Sequence, residues 1–299
     1  MKSNIVIPSW ELVNHATSIK KFNFFPSFLS TIYLSVIVLY QVAFSYIYIF
    51  QKKDEFFWLV IEFFHKDYFI EVVICVVVWL IAYLLLKPIS EAWIVCMVDW
   101  FAKWEEPKQK VMYWVSQWLL NFLQLFEYHN FMWLFKLLSI ITFYFLLLRL
   151  FWSEYAVIIS IIMFFYLVFA VLINVLFAYT KFFIIFEKKH IFEAISLSTK
   201  MTLMNMDVTM KLYYTLFMVY ARVIFTLIVF TAFSLVFSAL FALISTQKIF
   251  FAIWVGMLLL IFLAFLVFTS HFNSVLEIFV DALWYNAYNE NKKNMPQEE

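Results

Sequence analysis

Long stretches without an acid or a base constrain this chain more than any other feature. No Asp, Glu, Lys or Arg interrupts Phe22–Gln51, Tyr155–Thr180, Val223–Gln247 or Ile249–Ser270. A bilayer core takes about 20 mostly apolar residues per helix. Backbone in lipid must satisfy its own hydrogen bonds, which leaves helices and closed barrels as spanning structures. Continuous apolar runs of this length specify helices. A fifth run, Val72–Leu86, reaches span length once Tyr68–Glu71 is included, and a sixth, Asn130–Phe151, is interrupted by Lys136 and Arg149 alone. The expected fold is an all-α polytopic transmembrane helix bundle. Its six spans fall at about 25–50, 68–86, 130–151, 155–179, 212–245 and 249–269. They form one integral membrane domain over residues 1–290, followed by a polar tail at 291–299.

Composition closes off other classes. The chain is 66% hydrophobic and 14% charged, against about 45–50% and about 25% in soluble domains. A net charge of +1 and two cysteines exclude a broadly basic nucleic-acid binder and a disulfide scaffold. Cys75 and Cys96 read as small apolar filler. One Gly against 12 Trp is unusual, because membrane helices are normally richer in Gly than soluble ones. An AT-rich genome explains the scarcity of Gly but not the abundance of Trp. An aromatic belt at headgroup depth accounts for most of the Trp. A reassigned codon, read as Gly in the native cell, is the alternative for Trp104, which sits in a turn-like Lys103–Pro107 segment, and for Trp114 and Trp118, four residues apart.

Orientation follows from the basic residues. Of 21 Lys and Arg, 14 lie in the N-terminus, the 87–127 and 180–211 segments and the C-terminus. The positive-inside rule puts both termini in the cytoplasm and the protein in the cytoplasmic (inner) membrane. The segments on that side carry amphipathic stripes: Trp10, Val13, Ala16, Ile19 and Phe22; Val111, Val115, Trp118, Phe122 and Phe126; Ile191, Ile195, Ser198, Met201 and Met204; and Phe272, Val275, Phe279 and Leu283. Helices with such faces are expected in the headgroup plane, as is a less clearly patterned one at 89–103. An amphipathic helix followed by a hairpin of spans therefore repeats three times along the chain, with a faint echo between Trp10–Asn23 and Phe192–Asn205.

This order, with the segment Phe186–Ser198 in which a charged turn precedes a helix, resembles an uncharacterised six-span bacterial membrane protein family related to the membrane domain of glycerophosphodiester phosphodiesterases. The resemblance implies no catalytic residues, because the hydrolase part of the fused enzymes has no counterpart here.

Among candidate site residues, Arg222 stands out as a charge deep in its span, about 15 Å from Leu212 at 1.5 Å per residue. It is expected to face the bundle interior, with Glu71, Glu277 and Asp281 as candidate partners. Lys136 is the second membrane-embedded charge, placed where snorkelling suffices. Glu277 and Asp281 share a helix face, with solvated carboxylates the simpler reading, whereas Glu127 and His129 point to different sides. No spacing suggests a metal or cofactor, and HExxH, GxSxG and P-loop motifs do not occur. The first functional reading is a non-enzymatic, membrane-organising or lipid-interacting protein. Membrane lipids are its expected partners, together with a second copy or another membrane subunit. The alternative is a transporter or permease subunit with a site near Arg222, against which stands the near absence of Gly and Pro breaks within the spans.

Overall fold

A computed structural model describes residues 5–15, 17–49, 53–103, 111–151, 155–244 and 248–295. Every regular element among them is helical. Helix α1 (Ile7–His15) leads into α2 (Thr17–Ile49), and α3 (Lys53–Phe64) turns the chain towards α4 (Phe69–Ala102). Helices α5 (Val111–Trp133) and α6 (Leu137–Leu150) form one rod, bent by 47° at residues 134–136. After α7 (Ala156–Leu176), a turn at 177–179 leads into α8 (Thr180–Glu187). Helix α9 (Ile191–Met204) precedes the two longest helices, α10 (Met206–Ile244) and α11 (Lys248–Lys292). Five helical stretches have the length and hydropathy to cross a membrane, and the bent α5–α6 rod makes a sixth when taken as one.

Several boundaries differ from the sequence reading. The span at 68–86 and the separate helix at 89–103 are one unbroken helix, α4, with Pro88 inside it. Proline removes one N–H donor, which leaves only the Leu84 carbonyl without its intrahelical partner. Packing keeps the helix continuous through this position, because Pro88, Ser90, Ala92, Ile94, Val95 and Val98 are buried. The 249–269 span and the stripe beyond it likewise merge into α11. Span 130–151 is interrupted at 134–136 rather than preceded by a break. Helix α10 starts at Met206, six residues before the expected position, and α3 (Lys53–Phe64) lies between the first two expected spans.

One end of the bundle is densely packed. Here, called the terminal end, α1 and the last turns of α4 and α11 meet α8 and α9 around a shared core that includes Val13, Ile94, Val98, Phe182, Ile184, Met201, Leu283 and Tyr288. The amphipathic stripes supply part of this core: Val13, Ile19, Ser198, Met201, Phe279 and Leu283 are buried. These residues turn towards protein, a partner that helical periodicity does not distinguish from lipid, whereas Trp10, Met204 and Phe272 of the same stripes are exposed. Ala16 and the side chains of Val111, Val115 and Trp118 lie outside the described residues, as does Trp104. Helix α8 ends at Lys188 in the left-handed region (φ 52°, ψ 33°). The Lys189 N–H then reaches back to the Phe183 carbonyl at 3.4 Å, satisfying one of the free carbonyls at the end of α8.

Candidate functional site

Asn23 near the start of α2 joins three helices. Its Nδ2 donates to the Ser274 carbonyl at 3.2 Å and to Glu277 Oε2 at 3.1 Å, while its Oδ1 accepts from Ser90 Oγ at 2.7 Å. Ser27, one turn further along α2, donates to the same Glu277 oxygen at 3.0 Å. A buried amide with both ends satisfied fixes helix positions more strictly than apolar packing does.

Beside Asn23 runs a ladder of charges. Lys87 on α4 pairs with Glu277 on α11 at 2.5 Å, and Lys181 on α8 pairs with Asp281 on α11. Glu91, one turn after Lys87, meets Nδ1 of His129 on α5 at 3.4 Å. On the other side of that imidazole, Nε2 lies 3.4 Å from the Lys136 ammonium. An ammonium carries donors only, so a hydrogen bond from it requires Nε2 as the acceptor, which puts the ring proton on Nδ1, on the side of Glu91. His129 is 7% exposed and Asp281 6% exposed, so both belong to the interior.

These groups border a cavity of about 190 Å³, lined among others by Glu91, His129, Met132, Lys136, Asn174, Lys181 and Tyr213. The cavity sits where two helices break. At 134–136 the α5–α6 rod leaves carbonyls exposed, and Asn174 Nδ2 donates to Phe135 O at 2.9 Å while Tyr166 Oη donates to Leu134 O at 3.0 Å. At 177–179 the α7–α8 turn is treated the same way: Ser198 Oγ donates to Leu176 O at 2.9 Å, Tyr128 Oη to Phe177 O at 2.9 Å and Tyr213 Oη to Asn174 O at 2.6 Å. Irregular backbone inside a membrane protein persists where protein groups satisfy it or where it lines a cavity. Both conditions hold at these breaks.

The sequence candidates are thus redistributed. Glu277 and Asp281 do share a face, but each takes a lysine from another helix rather than facing solvent. Arg222 is exposed on α10, where an inward-facing side chain is expected. Glu71 is exposed in the first turn of α4, sixteen residues from Lys87 and so about 24 Å away along the helix. Lys136 turns to His129 instead of merely snorkelling, and it caps the start of α6 with extended backbone (ψ 139°). Glu127 is exposed and His129 buried, in keeping with their opposite sides. Among the described residues no three His, Cys, Asp or Glu side chains converge on a common point for a metal ion. Lys87, Glu91, Asn174 and Lys181 have no sequence signal of their own. Only the i,i+4 pairing of Lys87 with Glu91 on one apolar helix hints at an inward polar stripe.

No family model, curated protein or solved structure matches this chain.

Proposed function

We propose that this chain is a non-enzymatic, lipid-interacting protein of the cytoplasmic membrane that holds a phospholipid headgroup in the cavity between Glu91, His129, Lys136 and Lys181. The observation that carries the reading is the level at which the cavity lies. It adjoins the end of α7, an apolar run of 21 residues. At 1.5 Å per residue that run is about 31 Å long, close to the hydrocarbon thickness of a bilayer. Such a length supports headgroup depth for Ala178, Lys181 and the neighbouring Lys136. Lysine ammonium groups in a pocket between helices at that depth suit lipid phosphates. The Lys and Arg bias supports a cytoplasmic terminal end. The reading also draws on the resemblance to the membrane domain of glycerophosphodiester phosphodiesterases.

Retention of lipid tests it. Protein extracted in mild detergent and washed should keep bound phospholipid, and Lys136→Met should lose it at unchanged folded yield. A wild-type protein stripped bare by the same wash ends the reading.

The breaks at 134–136 and 177–179 favour a second reading, transport of a small polar solute, since discontinuous helices often build such sites. Its site would be this cavity rather than the surroundings of Arg222. Uptake of labelled acetate, phosphate and glycine into proteoliposomes separates the two: transport abolished by Lys136→Met but not by Arg222→Gln selects it.

A further inference from the structure

We propose that the cavity and an apolar groove beside it form a single site for a phospholipid with a zwitterionic, primary-amine headgroup. This rests on the lipid-binding reading above and names its ligand.

The cavity presents two opposite poles. Glu91 and Lys136 stand on either side of the His129 imidazole, each 3.4 Å from one of its nitrogens. The neighbouring ammonium groups of Lys87 and Lys181 already face Glu277 and Asp281. With a neutral imidazole, three lysines stand against three carboxylates, and the set is balanced. A bound anion would add an uncompensated charge to a poorly solvated place, which is costly. A zwitterion adds none. Its phosphate fits Lys136, which stands at the N-terminus of α6, the end of a helix that favours negative charge. Its ammonium fits Glu91. A primary ammonium has three N–H donors for that carboxylate, whereas a trimethylated one has none.

The apolar half of the ligand has a place at the same turn. Met132 and Lys136 line the cavity, whereas Trp133, Leu134 and Leu138 line a groove of about 300 Å³. Tyr33 and Ile37 of α2 close its other wall. A charged hollow and an apolar one flanking a single helix break match the two ends of one amphiphile. Met132 and Lys136 are four residues apart, as are Leu134 and Leu138, so helical periodicity puts the two linings on different faces of the α5–α6 rod.

Native mass spectrometry of the full chain in detergent tests the assignment. The probes are phosphatidylethanolamine, phosphatidylcholine and phosphatidylglycerol with identical acyl chains, and glycerophosphoethanolamine, which has no chains. Phosphatidylethanolamine should bind about tenfold more tightly than phosphatidylcholine, the scale of one charge-assisted hydrogen bond. Glu91→Gln should erase that preference, Lys136→Met should weaken all three lipids, and the chainless probe should bind weakest. The wild-type ranking decides even where a variant fails to fold. Phosphatidylglycerol bound more tightly than phosphatidylethanolamine overturns the zwitterion and leaves the lipid reading standing. Equal binding of the chainless probe overturns the groove. Failure of every lipid to bind overturns both the assignment and the reading beneath it.

Discussion

Val72–Leu85 and Pro88–Val98 belong to one unbroken helix, yet the first stretch lies mostly exposed and the second is half buried in the core. The same contrast holds on α11, where Leu260, Phe262 and Phe268 are exposed while Ile278, Ala282 and Leu283 are fully covered. Apolar side chains cover both stretches of each rod. A surrounding bilayer would account for the distal halves, because an alkyl surface in lipid has no water to escape and needs no protein partner. Towards the terminal end that surroundings change, and surface must be buried while polar atoms find partners. The ladder of ion pairs, the Asn23 junction and the buried tyrosines all belong to that end. Tyr179 Oη meets Thr209 Oγ1 at 3.1 Å and accepts from Asn291 Nδ2 at 3.0 Å, while Tyr288 Oη donates to Glu187 at 2.7 Å.

Substitutions can break this contrast. The largest loss should come from Asp281→Asn, which leaves the Lys181 ammonium, 16% exposed, without its carboxylate. Breaking such a pair costs roughly 3–5 kcal/mol, readable as a steep fall in thermal stability in detergent. Met201→Ala, at a fully buried position, should cost about 3 kcal/mol by cavity formation. Asn23→Ala should cost about 2 kcal/mol, because it strips partners from Ser90 and Glu277. Val78→Ala, 60% exposed on the distal part of α4, should stay within about 0.5 kcal/mol. Lys211→Ala should be of the same small order, since the Lys211–Asp207 pair is exposed at 59% and 78% and worth roughly 0–1 kcal/mol. If Val78→Ala proved as damaging as Met201→Ala in the same melts, the division of the bundle into two regimes would be wrong.

The helical class, with helices long and apolar enough to cross a membrane, was legible because it depends on local sums: a long uncharged run has few other outcomes. The shared face of Glu277 and Asp281 was legible as a spacing, but its inward direction and their partners were not, since Lys87 and Lys181 lie 190 and 100 residues away. The helix breaks escaped for a different reason. Gly and Pro usually announce them, and here neither does the work. The one glycine, Gly256, lies in α11 with open space around its Cα, and Pro26 and Pro88 lie inside continuous helices. The breaks rest instead on Asn174, Ser198, Tyr128 and Tyr166, which satisfy freed carbonyls from other elements. Scarcity of Gly and Pro within the spans is therefore no argument against a binding site in this bundle. Helix ends erred where packing overrode Pro88, a long-range effect that no local pattern carries.

The turn after α8 has a consequence for engineering. Lys188 holds a left-handed backbone that an L side chain adopts at a cost of roughly 1–2 kcal/mol, and the position is one where Gly is the commonest choice. A chain with a single glycine has left that relief unused. Lys188→Gly should raise the melting temperature without touching the core, and it offers a direct route to a sturdier sample for crystallisation or lipid titration.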